Sequence, residues 1–273
     1  MDATTNSGLN NTSPLREETK RGGYGLIGYP LSHSFSKKYF TEKFEKEKIA
    51  GCEYNLFPIE NINLLPRLII DNPTLCGLNV TIPYKESVIP FLDELDETAK
   101  AVGAVNCIKI VSSTEYHVPR LIGYNTDVYG FRQSIKPFLE IQHERALILG
   151  TGGASKAVAF VLKNIGIDCY FVSREKKQES SDKTFTYVEL NENIINAFKL
   201  IVNCSPIGTY PNINDAPDIP YQFISPSHLL YDLVYNPPET EFLKRGKAKG
   251  AAAVNGLSML QQQAEEAWNV WNK

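Results

Sequence analysis

The stretch that most constrains the fold is residues 145–155, Arg-Ala-Leu-Ile-Leu-Gly-Thr-Gly-Gly-Ala-Ser. Its apolar run, 146–149, is typical of a strand buried on both faces of a parallel sheet. Three of the next four residues are glycine, and a helical pattern begins at Ala154. Glycines at such a junction let the backbone turn tightly and approach a pyrophosphate, while the helix N-terminus offers free N–H groups and a positive dipole. The stretch therefore favours a dinucleotide-binding turn over a plain connection.

The surroundings of this turn strengthen that interpretation. A second apolar strand is predicted at 167–172, about where a strand–helix–strand unit places it. Ser155 occupies the third fingerprint position in place of Gly or Ala, and a serine there still permits close packing. We expect the turn to contact the cofactor through Gly150, Gly152, Gly153 and Ala154.

The end of the second strand indicates which dinucleotide binds. NAD-selective sites place Asp or Glu about 20 residues after the glycines, where the carboxylate holds the ribose 2′-hydroxyl. Here Ser173 stands instead, and the guanidinium of Arg174 follows at once. The sequence therefore predicts NADP, with Ser173 and Arg174 at its 2′-phosphate. The alternative, a solvated basic turn, stays open for Arg174 and is favoured for Lys176 and Lys177.

Composition excludes several classes of function. A chain of 273 residues is long enough for two domains, and a net charge of −3 argues against a nucleic-acid surface. Five scattered cysteines without Cys-x-x-Cys or His/Cys ligand spacing predict reduced, buried thiols in a cytosolic protein and no metal site. No stretch approaches the roughly 20 apolar residues that a membrane span requires. Residues 1–22 are polar and lack the apolar core of a signal peptide, so we expect a disordered tail outside the fold.

Strands and helices alternate along the rest of the chain. Strands are predicted at 24–29, 53–59, 75–83, 105–111, 116–122, 200–204, 229–234 and 251–254, the fourth and fifth of these as a hairpin. Helices are predicted at 37–49, 64–70, 128–139, 194–198 and 239–249, in a charged region that ends at Lys100, and from Gly256 onward. This alternation predicts two α/β domains, with the helices at Asp127 and near Gly256 crossing between them.

Two serines mark the first predicted helix. Ser34 and Ser36 flank its start, where serine is a common N-cap, so one cap and one bystander remains an alternative to a binding role. His33 lies beside them, and a lone histidine in a turn is more often a hydrogen-bonding spectator than a base.

Three polar residues accompany the strand at 75–83. Asn79, Thr81 and Lys85 fall at or just past its carboxyl end, where open α/β sheets bind ligands. Farther along the chain, Asp127 precedes a helix whose N-terminus it could simply favour electrostatically.

Taken in chain order, these segments resemble the shikimate dehydrogenase family from about residue 24 to residue 271. Eight motifs agree in order and spacing, and together they make the resemblance specific. They are Ser-Phe-Ser at 34–36, Asn-Val-Thr-Ile-Pro-Tyr-Lys at 79–85, Gly-Ala-Val-Asn at 103–106, Asn-Thr-Asp at 125–127, Gly-Thr-Gly-Gly-Ala-Ser at 150–155, Asn-Cys-Ser-Pro-Ile-Gly at 203–208, Tyr-Asn-Pro at 235–237 and the run from Gly256 to Gln263.

The resemblance implies an α/β fold of two domains. Residues 23–126 and 256–273 would form the substrate-binding domain, to which the final helix returns, and residues 127–255 a Rossmann-type NADP domain. The implied activity is the reversible NADPH-dependent reduction of 3-dehydroshikimate to shikimate, a step towards chorismate and the aromatic amino acids. The implied protein is a cytoplasmic monomer or homodimer that binds neither nucleic acid nor membranes.

The resemblance also implies roles for individual residues. Lys85 matches the catalytic lysine and Asp127 its partner, while Ser34 and Ser36 match the pair that holds the substrate carboxylate. The groups that match binders of the substrate hydroxyls are Thr81, Asn106, Asp127 and Gln263, with Tyr235 nearby. Further cofactor contacts are expected at Asn203, Ser205 and Gly256, which all lie in family motifs.

The sequence departs from the family pattern at two places. The usual Asn-Arg-Thr after the second cofactor-domain strand is Ser-Arg-Glu here, and the carboxylate of Glu175 would repel a 2′-phosphate. Thr209 stands where the family often has Met beside the nicotinamide, so that pocket wall is expected to differ.

Two other functions stay open. A quinate/shikimate dehydrogenase with broader substrate use and NAD is disfavoured by Arg174 and by the missing acid at Ser173. A cofactor-binding regulatory protein without turnover would be expected to have lost Lys85 or Asp127, and both are present.

Overall fold

The computed structural model describes residues 22–31, 34–111, 119–175 and 183–273, and it contains two six-stranded sheets. The first has the order β2-β1-β3-β5-β6-β4. Its strands are β1 (Gly22–Gly28), β2 (Cys52–Pro58), β3 (Leu75–Val80), β4 (Glu94–Leu95), β5 (Cys107–Val111) and β6 (Arg120–Tyr124). β1 pairs in parallel with β2 and β3, whereas β5 pairs antiparallel with β3 and β6. The helices in this part of the chain are α1 (Phe35–Lys46), α2 (Leu65–Asp71) and α3 (Glu97–Val102).

The second sheet has the order β12-β11-β10-β7-β8-β9, and its described strand pairs are all parallel. Its strands are β7 (Arg145–Leu149), β8 (Asp168–Ser173), β9 (Thr184–Thr186), β10 (Leu200–Asn203), β11 (Leu229–Asp232) and β12 (Ala252–Val254). Helices α5 (Gly153–Asn164), α6 (Glu192–Ala197) and α7 (Glu241–Lys247) connect several of them. The order reverses between β7 and β10, the kind of position at which doubly wound sheets bind dinucleotides.

Two helices join the sheets and pack against each other. They are α4 (Thr126–Ile135), which leads from β6 towards β7, and α8 (Leu257–Asn272), which follows β12. At Gly130 a Cβ atom would lie 2.6 Å from the carbonyl oxygen of Met259, so only glycine allows this approach of the two helices. The far end of α8 reaches the first sheet, where the indole Nε1 of Trp271 donates to the carbonyl oxygen of Ile108 at 3.0 Å.

The predicted fold class is confirmed. Strands and helices alternate through two α/β units, and the final helix returns to the first sheet. β5 and β6 are antiparallel neighbours as expected, although the turn between them, residues 112–118, lies outside the described residues. Most predicted elements differ from the observed ones by one to three residues at their ends, where capping and pairing decide the boundary.

Other expectations were wrong. The charged region that ends at Lys100 is only partly helical, because Glu94–Leu95 forms β4 and pairs with β6 before α3 begins. β9 was not predicted, since three residues are too short a run to show alternation. Gly22 belongs to β1 rather than to the N-terminal segment, whose remaining residues, 1–21, lie outside the described part of the chain.

The cysteines are less buried than expected. Cys107 and Cys169 are buried, but Cys52, Cys76 and Cys204 are half-buried. Within the described ranges, no group of three or more His, Cys, Asp and Glu side chains has an arrangement that could hold a metal ion. The described helices include none that is long and apolar enough to cross a membrane.

Candidate active site

An ion pair between Lys85 and Asp127 forms the centre of the site. The Nζ atom of Lys85 donates to Oδ2 of Asp127 at 2.6 Å, and the other carboxylate oxygen accepts from Nδ2 of Asn106 at 2.8 Å. The Asp127 side chain is 8% exposed and that of Lys85 18%. The ammonium is thus held in place at the end of a side chain that is still partly exposed.

The backbone on both sides of this pair is anchored. Lys85 follows β3 closely, and its carbonyl oxygen accepts from the N–H of Val105 at 2.7 Å. Asp127 lies in the first turn of α4, where its charge favours the helix N-terminus as the sequence suggested. Asn125 caps that helix by accepting from the N–H of Val128, and its amide donates to the carbonyl oxygen of Ala104 at 2.8 Å. Asp127 therefore both stabilises the N-terminus of α4 and forms the ion pair with Lys85.

Asn106 connects the ion pair to the final helix. Its Oδ1 accepts from the backbone N–H of Thr126 at 2.6 Å, and its Nδ2 also approaches Oε1 of Gln263 at 3.4 Å. The Thr126 hydroxyl reaches the same Gln263 oxygen at 3.4 Å. Thr126 was missed from sequence, although its place between Asn125 and Asp127 in one motif was the available signal.

The two predicted serines lie at the start of α1 with different roles in the fold. Ser34 is the N-cap, and its side chain accepts from the N–H of Lys37 at 3.3 Å. Ser36 lies in the first turn beside the buried Tyr54, whose pKa is raised by burial and lowered in part by a hydrogen bond with Ser36. The Tyr54 hydroxyl also donates to Oδ1 of Asn79 at 2.8 Å.

Tyr235 reaches the same helix start from the loop after β11. Its ring packs edge-on against Phe35, between the two serines, with centroids 5.6 Å apart. Burial raises the pKa of Tyr235, and a hydrogen bond from the Phe35 backbone opposes that shift. Thr81 is half-buried near β1, and its backbone N–H donates to the carbonyl oxygen of Ile27 at 2.9 Å. Tyr235 thus contacts the residue between the two serines, whereas His33 lies outside the described residues.

The glycine turn ends beside the ion pair. Gly150 has a φ of +110°, which favours glycine, and Gly152 is the N-cap of α5 with no side-chain capping bond among the described residues. A Cβ on Gly152 would meet no atom within 4 Å, so the start of α5 faces open space. A Cβ on Gly153 would lie 3.1 Å from Cβ of Lys85. The uncapped N–H groups and the open approach fit a pyrophosphate.

The expected 2′-phosphate contacts end β8. The Ser173 hydroxyl donates to the carbonyl oxygen of Glu175 at 2.7 Å and so closes the turn that carries Arg174. Arg174 and Glu175 are both exposed, while Lys176 and Lys177 lie outside the described residues. The guanidinium is therefore available to a ligand, with a carboxylate one residue away.

Two of the expected cofactor contacts lie beneath the surface. Asn203 is fully buried, where it donates to Oδ1 of Asp232 at 2.9 Å and accepts from the Ser205 hydroxyl at 2.6 Å. Its side chain supports the loop that carries the half-buried Ser205, and the expected contact between Asn203 and the cofactor stays a prediction. Gly256 is buried at the start of α8, where a Cβ would lie 2.2 Å from the carbonyl oxygen of Leu233. Close packing explains this glycine.

Comparison with known proteins agrees with this arrangement. Residues 26–108 match the family model described as the shikimate dehydrogenase substrate binding domain. The chain is 38% identical over 261 residues to the NADP(+) shikimate dehydrogenase of Carboxydothermus hydrogenoformans, covering 90% of each chain. It is 40% identical over 259 residues to that of Clostridium beijerinckii, covering 92% of each.

A solved structure shows the same architecture. Shikimate dehydrogenase 1 from Peptoclostridium difficile superposes with a TM-score of 0.78 at 36% identity, covering 92% of this chain and 91% of that one. Sequence identity and fold thus agree over nearly the whole chain. The chain belongs to the shikimate dehydrogenase family.

Proposed function

We propose that this protein is an NADP-dependent oxidoreductase that interconverts 3-dehydroshikimate and shikimate, in the route to chorismate and the aromatic amino acids. The observation that carries the proposal is the Lys85–Asp127 ion pair, which is partly exposed at Lys85 and adjacent to the glycine turn. The NADP(+) shikimate dehydrogenases at 38% and 40% identity support the substrate and the cofactor. A cytoplasmic location, and a monomer or homodimer as the active form, belong to the same proposal.

Each of the two sheets belongs to a domain with its own binding role. The substrate-binding domain comprises residues 23–126 and 256–273, and the cofactor domain residues 127–255. Support comes from α4 and α8, which lead out of one sheet and into the other and carry Asp127 and Gln263 to the domain boundary. Substrate and cofactor would then meet where the glycine turn approaches the Lys85–Asp127 pair.

The turn before α5 would hold the cofactor. Gly150, Gly152, Gly153 and Ala154 would contact the pyrophosphate, because the uncapped N–H groups of α5 and its positive dipole attract an anion. Ser173 and the exposed Arg174 would hold the ribose 2′-phosphate at the end of β8. Asn203, Ser205 and the backbone near Gly256 would contact the cofactor on the other side of β7, at and beyond the ends of β10 and β12. When bound, the dinucleotide supplies the hydride.

The substrate would lie between α1 and the ion pair. Hydroxyl groups at Ser34 and Ser36 suit a carboxylate because they donate hydrogen bonds without adding a buried charge, and Tyr235 lies against the same turn. The groups that would bind the ring hydroxyls are Thr81, Asn106, Asp127 and Gln263. Three of these four are already linked to one another by hydrogen bonds.

Lys85 would move the proton. During reduction, negative charge develops on the carbonyl oxygen of the substrate, and the Lys85 ammonium both stabilises that charge and transfers its proton to the oxygen. The neutral amine then regains a proton from water through its exposed side. Asp127 fixes the amine at 2.6 Å, which keeps the donor in one place. Oxidation of shikimate reverses each transfer.

An absorbance assay of nicotinamide reduction tests the proposal. Shikimate and quinate are each combined with NADP⁺ and NAD⁺, and the four values of kcat/KM are compared. Shikimate with NADP⁺ is expected to give the highest value, because Arg174 is exposed for a 2′-phosphate. A clear preference for quinate or for NAD⁺ would overturn the assignment, and no turnover with any pair would favour a cofactor-binding regulatory role.

A further inference from the structure

One face of α5 packs against the segment that carries Lys85. Gly153, Lys156 and Ala157 lie three and four positions apart, so they share a side of the helix. The Nζ atom of Lys156 lies 2.6 Å from Oε2 of Glu86, the neighbour of Lys85. One helical turn after Gly153, Ala157 is buried against Ala104 in a small apolar cluster. The helix that would receive the cofactor phosphates thus contacts the lysine segment at Gly153 and Lys156, and the loop after α3 at Ala157.

The contact at Gly153 is the closest of the three to the chemistry. A Cβ there would lie 3.1 Å from Cβ of Lys85 and 3.5 Å from its Cδ. The backbone of Lys85 has little room to retreat, because its carbonyl oxygen is bonded to the Val105 N–H and the preceding Tyr84 is buried. The amine at the other end is held by Asp127. An added methyl group at position 153 must therefore displace either the lysine stem or the N-terminus of α5.

The preceding glycine offers a matched comparison. Gly152 has a φ of −82°, which other residues adopt, and a Cβ on it would meet nothing within 4 Å. A methyl group at 152 would project into the open space in front of α5, where the cofactor phosphates are expected. The two adjacent glycines therefore have different surroundings: Gly153 faces the Lys85 stem, and Gly152 faces the space where the cofactor phosphates are expected.

We propose that Gly153 is a positioning residue for Lys85: the absence of its side chain lets the cofactor-binding helix pack directly on the lysine stem. This inference rests on the proposed function, since it matters for turnover only if Lys85 transfers the proton. It assigns the motif a second role besides approach to the pyrophosphate. The distance between α5 and the Lys85 stem sets where the ammonium lies relative to a cofactor held by the same helix.

The test compares Gly153→Ala with Gly152→Ala in wild-type and Lys85→Met backgrounds. Gly153→Ala is expected to lower kcat about tenfold, because small misplacements of a catalytic group have large effects on rate, and to change the Kd of NADPH from fluorescence titration less than Gly152→Ala does. Gly152→Ala is expected to act mainly on cofactor affinity and to raise the KM for NADP⁺. In the Lys85→Met background, Gly153→Ala should lower kcat no further, whereas the effect of Gly152→Ala should persist.

The outcomes separate this inference from the proposed function. Unchanged kcat in Gly153→Ala, or a tenfold loss that repeats fully in the Lys85→Met background, would overturn the positioning role. Near-native kcat in Lys85→Met alone would instead overturn the proton-transfer role of Lys85. If circular dichroism shows that Gly153→Ala does not fold, Ala157→Val moves α5 away from the Lys85 segment through its contact with Ala104. Its effect on kcat must likewise disappear in Lys85→Met for the inference to stand.

Discussion

The carboxylate of Asp127 binds the ammonium of Lys85 at 2.6 Å across the junction between the first sheet and helix α4. The two residues are 42 positions apart. The backbone of Lys85 is bonded to Val105, and Asp127 lies in the first turn of α4. A pair this far apart in sequence forms only when the sheet and α4 are both in place. The fold itself thus pairs Lys85, the proposed proton donor, with Asp127.

Arg174 determines the expected choice of cofactor. Arg174→Ala should raise the KM for NADP⁺ roughly tenfold or more, because a hydrogen bond to a charged group contributes about 1.5–3 kcal/mol. NAD⁺ lacks the 2′-phosphate, so its kinetics should be nearly unchanged. Steady-state kinetics with both cofactors measures the effect, and equal losses for both would mean that Arg174 is structural.

A substitution of Glu175, the residue after Arg174, should have the opposite effect on NADP⁺ binding. Glu175→Gln removes a carboxylate that would repel the 2′-phosphate and keeps the side chain nearly the same size. The KM for NADP⁺ should fall about two- to fivefold, within the range that one exposed charge contributes. A rise in the KM for NADP⁺ in this variant would show that Glu175 supports the turn instead.

Substitutions of Ser34 and Ser36 should both affect substrate binding, but only one of them should affect stability. Ser34→Ala and Ser36→Ala should each raise the KM for shikimate about tenfold, through loss of a hydrogen bond to the carboxylate. Only Ser34→Ala removes the N-cap of α1, so it alone should also lower the free energy of unfolding, by about 1 kcal/mol. Urea unfolding beside steady-state kinetics checks both parts, and equal stability losses would contradict the different positions of the two hydroxyls.

The raised pKa of Asp232 should make the free energy of unfolding depend on pH. Burial raises its pKa from 3.8 to about 6, despite hydrogen bonds from Thr240, Val234 and Asn203. The folded protein therefore holds this proton more tightly than the unfolded chain does. The stability that the protonated carboxyl contributes is complete below about pH 4 and is lost as the pH rises through about 6.

Asp232→Asn removes this titration. The free energy of unfolding of the variant relative to wild type should rise by roughly 3 kcal/mol between about pH 4 and about pH 7. Urea unfolding at the two pH values measures it, with the exposed Asp218→Asn as the control for loss of one negative charge. A constant difference between variant and wild type would show that the pKa of Asp232 is not raised in the folded protein.

Local patterns predicted most of this architecture. The apolar runs of the second sheet, such as β7 and β10, are buried on both faces, so each stands out as a continuous hydrophobic segment. Elements that depend on pairing with a distant strand were missed. Glu94–Leu95 is extended because it pairs with β6, and a sequence of one charged and one apolar residue does not indicate that pairing. Pairing across the sheet decided these cases over local propensity.

The same distinction applies to the candidate site. Ser34 and Asp127 lie at helix starts and Lys85 in the turn that follows β3, and those positions could be predicted from strand and helix signals alone. The burial of Asn203 could not, because it depends on Asp232, a residue on the neighbouring strand β11. The contact between Gly153 and Lys85 likewise requires both sheets to be in place, so the motif alone indicated only the cofactor.

Asp127 is expected to serve both substrate and lysine. Asp127→Asn should lower kcat and also raise the KM for shikimate more than a change at Lys85 does, since the carboxylate would contact a substrate hydroxyl as well as the ammonium. The double variant with Lys85→Met should fall well short of the product of the two single effects, as for residues that act as a unit. Strict additivity in kcat would show that the two side chains work independently.

The most direct test of proton transfer is the turnover number of Lys85→Met at saturating shikimate and NADP⁺. The methionine keeps most of the stem and removes the ammonium, so kcat should fall about 10²-fold or more. The KM for shikimate should change much less, because Ser34, Ser36 and Gln263 are unaltered. Stopped-flow and steady-state kinetics give both values, with circular dichroism to show that the variant is folded. A folded Lys85→Met protein with near-native kcat would contradict the assignment of Lys85 as the proton donor.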